Sequence, residues 1–306
     1  MPAPRALGRS ALALRHWGLA LCLAVGLAGC AQLPRDVQRP PSQALASPEG
    51  TPLADLVQRR RDASGGRFAS GFLLLEGPQA AYGSRLALVE AAQKTLDLQY
   101  YAIHADASTG RLMSAVRDAA ARGVRVRILI DDFHSTGRDA LVLRLAFEKN
   151  IEMRMFNPLA GSRDSTLSRL ASSLGEASRV QQRMHNKLFI ADNAIGVTGG
   201  RNLGDAYFGN SNVGNFVDLD VLAAGPIVQD LSRSFDAYWN NERAYPVPSL
   251  VKREELDEIR DRARSDAAKQ RQSGQAQDPP SGTPKPPDGE PRSTGAGPTP
   301  EQRARA

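Results

Sequence analysis

Cysteine is nearly absent from this 306-residue chain: Cys22 and Cys30 are the only two. Two thiols cannot staple a chain this long, which excludes a disulfide scaffold. Histidine is scarce as well, with four residues, His16, His104, His134 and His185. No apolar run reaches the ~20 residues that a membrane-spanning helix needs, and the longest, residues 17–29, falls short. The charge imbalance is slight. The net +6 includes Arg5, Arg9 and Arg15 in residues 1–29, which hold no acid, so the rest carries only +3. That is too mild to argue for nucleic acid as a partner. What the chain does have is 41% hydrophobic residues, enough for a sizeable core, so wholesale disorder is excluded. At roughly 100–200 residues per domain, the length allows one large domain or two small ones.

The first thirty residues read as an address. Arg5 to Arg15 form a positive region, and residues 17–29 (WGLALCLAVGLAG) a signal-peptide core. The run ends in Leu27-Ala28-Gly29-Cys30, which resembles the lipobox of bacterial lipoproteins, with Cys30 as the lipidated N-terminus. An ordinary secretory signal containing a cysteine is the alternative. Ala31 and Gln32 follow, without the aspartate that often retains such proteins at the inner membrane, and so favour an outer-membrane anchor facing the periplasm. The organisation expected is a signal peptide over 1–29, a lipidated cysteine and Pro/Ser/Gln-rich tether over 30–67, a domain over 68–250, and a charged helix and disordered tail over 251–306. The tail has no Val, Ile, Leu, Met, Phe, Tyr or Trp from Arg260 onward, and cannot bury enough surface to offset its ordering entropy.

Within the domain, periods of two and of 3.6 alternate. Residues 72–75, 96–100, 124–130, 151–156, 188–191, 195–198 and 217–223 read as strands; 82–94, 109–122, 137–149 and 226–239 read as helices. Gly123 supplies a helix stop, and Pro226 suits a first helical turn. Strands alternating with helices predict an α/β fold: one domain with a mixed, mainly parallel sheet and helices on both faces.

The chemistry concentrates in Met184-His185-Asn186-Lys187-Leu188-Phe189-Ile190-Ala191-Asp192, followed by Gly199-Gly200-Arg201-Asn202. His185 and Lys187 are two apart where a strand begins, so their side chains project to one face. An imidazole beside an ammonium, with glycines that permit close backbone approach and an amide donor, suits an anionic tetrahedral centre. A lone His-x-Lys is ordinarily two solvated residues on a surface strand. Here the pattern runs further: His-x-Lys, four residues, Asp, six residues, Gly-Gly-x-Asn resembles the signature of the phospholipase D superfamily. His185, Lys187, Asp192, Gly199, Gly200 and Asn202 fill it without a gap. Residues 96–106, 122–132 and 215–221 look like the N-terminal half of bacterial cardiolipin synthase-like members.

The resemblance implies a covalent phosphohistidine on His185, with Lys187 and Asn202 holding phosphoryl oxygens and the backbone of Gly199 and Gly200 close by. It implies that Asp218 hydrogen-bonds the other ring nitrogen of His185 and fixes its tautomer, with Asp220 as the fallback. Asp192 becomes a structural ion-pair partner. No cofactor and no metal are implied, although Asp131-Asp132 at a strand end could hold magnesium. His104 and His134 read as hydrogen-bonded loop residues that could line the pocket. Tyr100-Tyr101 reads as sheet core, and Arg59-Arg60-Arg61 as a solvated run that could touch anionic headgroups.

Superfamily members pair two His-Lys motifs across a pseudo-twofold axis, and this chain has one. Either it forms a homodimer that brings two copies of His185 to one site, or it is a truncated relative of a two-motif enzyme. The expected substrate is a membrane phospholipid and the expected activity a phosphodiesterase or phosphatidyltransferase of cardiolipin synthase type. A single-motif nuclease and a non-catalytic lipoprotein are the competing readings.

Overall fold

The structure, a computed structural model, describes residues 33–135, 137–159 and 182–275. The signal region, Cys30, most of the Ser-rich stretch 158–182 and the Pro-rich tail lie outside them. The chain divides into two units, 1–264 and 265–306; the described residues of the second are helical.

The first unit is built on an eight-stranded sheet. In chain order the elements are α1 (Pro52–Ala63), β1 (Gly71–Leu75), α2 (Pro78–Ala91), β2 (Thr95–Tyr100), α3 (Ala107–Ala121) and β3 (Arg125–Asp131). Two 3₁₀ segments (Asp132–His134 and Gly137–Phe147) lead to β4 (Ile151–Phe156). Then come β5 (Leu188–Ala191), β6 (Ile195–Gly199), β7 (Asp220–Ala224), α4 (Ile227–Trp239), β8 (Ala244–Pro246) and α5 (Arg253–Gln275). The spatial order is β1-β7-β6-β5-β2-β3-β4-β8.

The sheet is mixed and covered on both faces, but it is not mainly parallel. Among the strands of the described residues, only β2·β3 and β3·β4 pair in parallel; the other five strand pairings are antiparallel. The physical reason is the connections. Residues 100–150 supply the long crossovers that parallel strands require, whereas β5 and β6 are joined by a tight turn at Asp192-Asn193. Both turn residues are left-handed (φ 51° and 52°), and the Ala194 amide donates to the Ala191 carbonyl, as in a type I′ hairpin. A second difference concerns the expected strand over 217–223. Strand β7 begins only at Asp220, where β6 ends at Gly199; beyond that pair the ladder is reduced to the Gly200 amide donating to the Leu219 carbonyl.

Period two sorts the core into two layers. Val126, Ile128 and Ile130 of β3 and Phe189 and Ala191 of β5 pack with Leu88, Leu112 and Val116 of α2 and α3. Leu129, Leu188 and Ile190 face the other way, against Val228, Phe235 and Trp239 of α4. Charged residues are buried on that second face. Arg127 binds Asp97 (2.7 Å) and Asp236 of α4 (2.8 Å), and its guanidinium lies over Phe235 and Trp239. Complete pairing lets such charges remain inside.

The boundary expected at residue 68 moves. Residues 40–51, assigned to a free tether, are docked on the domain: the Pro40 carbonyl accepts from Arg154, Ser42 Oγ from Trp239 Nε1, and the Leu45 carbonyl from Asn193. Residues 52–63 form α1, capped by Thr51, whose Oγ1 accepts from the Ala54 amide. Small polar side chains and backbone carbonyls make these contacts, so composition alone does not reveal them.

Candidate functional site

Antiparallel β2 and β5, together with β6, bring the motif residues to one end of the sheet. Gln99 pairs with Leu188, and Leu188 with Thr198, so the start of β5 lies beside the ends of β2 and β6. His185 and Lys187 precede β5, Gly199 closes β6, and Tyr101 follows β2. Asp220, the first residue of β7, pairs with Gly199 at the same end.

His185 is exposed, while Lys187 is buried. Lys187 Nζ lies 3.0 Å from His185 Nδ1 and donates to the His185 carbonyl at 2.7 Å. An ammonium can only donate, so Nδ1 accepts and the imidazole proton sits on Nε2. Desolvation by the surrounding wall, and then the Lys187 charge, hold the His185 pKa below the ordinary imidazole value, against an opposing pull from Asp218. Burial likewise lowers Lys187, with Asp218 again opposing. Asn202 is locked: its Oδ1 accepts from the Ala102 amide at 3.1 Å, and its Nδ2 faces the Tyr207 hydroxyl at 3.1 Å.

The two glycines are required by space. A Cβ at Gly199 would overlap the Asp220 carboxylate and the Leu219 carbonyl; one at Gly200 would overlap the Asp218 carboxylate. Asp218 therefore sits against the glycine turn, and its charge reaches both His185 and Lys187. Asp220 is committed elsewhere, to the buried Arg85 at 2.9 Å, and its Oδ1 accepts from the Arg201 amide. The fallback assignment is therefore corrected: Asp220 braces the turn from below.

Asp192 stands at the far end of β5, about 16 Å along the strand from Lys187. Its carboxylate accepts from the amides of Gln93, Lys94 and Thr95. The expected ion pair is replaced by backbone donors, because the left-handed turn aims the carboxylate at the start of β2. Asp131 and Asp132 do not make an open carboxylate pair either. Asp131 accepts from the Phe133 and Met184 amides and from Arg183 Nε, and Asp132 Oδ2 accepts from the Leu159 amide. Burial pushes the Asp131 carboxyl up to about 6.

A wall of rings surrounds His185. Tyr101 lies 4.8 Å from the His185 ring and 4.9 Å from His134, and Lys187 Nζ is 5.6 Å from its centroid. Tyr100 is fully buried and accepts from Arg85 Nε, as sheet core should. Tyr101 is half-buried at the site, one residue past the strand end, where period two no longer sets its direction. His104 is a hydrogen-bonded loop residue, with Nδ1 2.8 Å from Asp139, which raises its pKa. His104 also stacks parallel to Tyr207, and Tyr207 on Phe216. Tyr101 and Tyr207 are the site residues that sequence reasoning missed; Tyr207 carries no motif signal at all.

Among known proteins, residues 86–239 match a family model described as "Cardiolipin synthase, PLD-like domain". The chain is 41% identical over 181 residues to cardiolipin synthase C of Escherichia coli, covering 59% of this chain and 37% of that protein. It is 29% identical over 178 residues to cardiolipin synthase A of Pseudomonas entomophila, covering 57% of this chain and 34% of that protein. The chain thus spans little more than a third of the length of these relatives. Among solved structures it is similar to Nuc of Salmonella typhimurium, a phospholipase D family member, with a TM-score of 0.40 and 17% identity over 58% of this chain and 97% of that one. With the family model spanning half its length and the His-x-Lys motif at one sheet end, the chain belongs to the phospholipase D superfamily.

Proposed function

We propose that this chain transfers phosphatidyl groups at a membrane, as a phosphodiesterase or phosphatidyltransferase of cardiolipin synthase type. The observation that carries the reading is the convergence of His185, Lys187 and Asn202 beside a glycine turn into which no side chain fits. In the first step His185 Nε2 attacks phosphorus, a P–N bond forms, and the P–O bond to the leaving alcohol breaks. An alcohol or water then reverses the exchange. Lys187 and Asn202 stabilise the phosphoryl oxygens, whereas the turn amides of Gly200 and Arg201 are taken up by the Leu219 carbonyl and Asp220 Oδ1. For Nε2 to attack, its proton must move to Nδ1. An incoming phosphate draws the Lys187 ammonium off Nδ1. Solvent reaching the exposed ring removes the proton from Nε2 and returns one to Nδ1, and Asp218 accepts the hydrogen bond from the resulting Nδ1–H. Asp218 makes this reading a positioning assignment.

One imidazole cannot both attack and protonate the leaving oxygen in the same step. The second is proposed to be His185 of a second copy across a twofold axis. Exposed Val213, Phe216, Val217 and Leu219, in the run that carries Asp218 into β7, support a surface of that kind. The membrane anchor is proposed to be a lipid on Cys30 in the envelope of a Gram-negative-type bacterium, supported by the Leu-Ala-Gly-Cys run. Among the described residues, no helix is long and apolar enough to cross a membrane.

Incubating the purified chain with phosphatidylglycerol or phosphatidylethanolamine should yield cardiolipin or phosphatidic acid. Plasmid cleavage without turnover of either lipid would favour the nuclease reading instead.

A further inference from the structure

The large apolar side chains exposed on the described residues fall into two groups. Four of them flank the site and belong to the proposed twofold surface. Leu56, Phe68, Phe72, Leu73 and Leu74 do not: they lie on α1, after it, and on the edge strand β1, with exposures of 37%, 68%, 65%, 60% and 49%. Gly71 and Ile195 both pair with Ala224, whereas Leu75 and Gly199 both pair with Asp220. The Phe68–Gly71 stretch therefore lies toward the sheet end opposite His185. Between α1 and β1 runs a groove of about 570 Å³ lined by Leu56, Phe68, Phe72, Leu73, Leu222 and Ile195, with Arg60 and Arg61 at its rim.

The charge beside the groove is mostly positive. Arg59, Arg60, Arg61 and Arg67 are all exposed, and the nearby Asp62 carboxylate accepts from Gln58 at 2.8 Å. The Arg67 guanidinium lies 5.1 Å over the Phe68 ring, extending the apolar surface under a cationic head. An isolated apolar patch on a soluble surface marks an interaction site. Aromatic and leucine side chains next to guanidiniums match the boundary between phosphates and acyl chains. A second copy fits poorly, because an isologous face would set these arginines against one another.

We propose that the α1–β1 groove seats on an anionic phospholipid bilayer, with the arginines at the phosphates and Phe68, Phe72 and Leu73 in the acyl boundary. The seating deepens the phospholipid reading above and takes its purpose from that reading. It holds the domain at its substrate surface through protein contacts, in addition to any lipid on Cys30.

Hydrogen–deuterium exchange on the full chain tests it, comparing phosphatidylglycerol vesicles with phosphatidylcholine vesicles of equal size. Residues 56–61 and 68–74 should exchange more slowly on phosphatidylglycerol alone. The combined R59Q, R60Q and R61Q substitutions should erase that difference while protection of β3 stays intact, which shows the fold is retained. Equal protection on both vesicles, or protection that survives the substitutions, would overturn the proposal. So would protection without vesicles that grows with protein concentration, since a second copy would then cover the groove. Exchange reports seating whether or not the chain turns over lipid, so failure of the functional reading remains distinguishable from failure of this one.

Discussion

Lys187 Nζ rests 3.0 Å from Nδ1 of His185, and that contact sets the imidazole in the tautomer that cannot attack through Nε2. In the proposed mechanism the free site is a resting state, and anion binding is what activates the nucleophile. That mechanism uses Asp218, which sits against Gly200, to accept the hydrogen bond from Nδ1–H once Lys187 withdraws.

The charge of Asp218 raises the pKa of His185, opposing desolvation and Lys187. Replacing Asp218 with Asn should therefore lower that pKa further and move the acid limb of the pH–rate profile to lower pH. The maximal rate should fall by roughly a hundredfold, because Nδ1–H loses its carboxylate. An acid limb that stays in place or moves upward would show that Asp218 does not act on His185.

Asp192 satisfies three backbone amides at the α2–β2 junction, and two of its acceptor contacts are 2.7 and 2.9 Å long. Asp192→Ala should cost about 2–4 kcal/mol in denaturant unfolding, the range for leaving buried donors unpaired. Asp192→Asn keeps one acceptor and the turn propensity, and should recover part of the loss. An effect on turnover with unchanged stability would contradict the structural role.

The Asp131 carboxyl, pushed up to about 6 by burial, sits well above its unfolded value. Between about pH 4 and 6 the folded chain holds a proton that the unfolded chain has released. The stability from this group is fully present below pH 4 and is lost as the pH rises through 6, on the order of 2–3 kcal/mol. Asp131→Asn should flatten that part of the stability–pH curve; an unchanged slope would assign it to other groups.

Much of this was legible in the sequence. Residues 151–156 alternate so cleanly that strand β4 falls where expected, and the fixed spacing from His185 to Asn202 marks the site. Other parts could not be read from periodicity. Asp97, Arg127 and Arg154 alternate with apolar residues as solvent-facing positions would, yet they lie beneath α4 and residues 40–51. A charge paired with a distant layer looks, in sequence, like one facing water. Tyr207 enters the site only because Asn202 and Ala102 meet across 100 positions.

If two copies of His185 share one site, mixing wild-type chain with excess inactive His185→Ala should suppress activity beyond simple dilution, because every mixed dimer lacks one imidazole. Activity falling only in proportion to the wild-type fraction would mean that each chain works alone.

The central claim is that His185 carries the phosphoryl group, and trapping the intermediate tests it most directly. Brief exposure to phosphorus-labelled substrate followed by denaturation should leave label on the wild-type chain that is labile to acid and stable to alkali. His185→Ala should carry none. Label persisting in His185→Ala, or lipid turnover by the wild type with no label trapped at any time, would contradict the account.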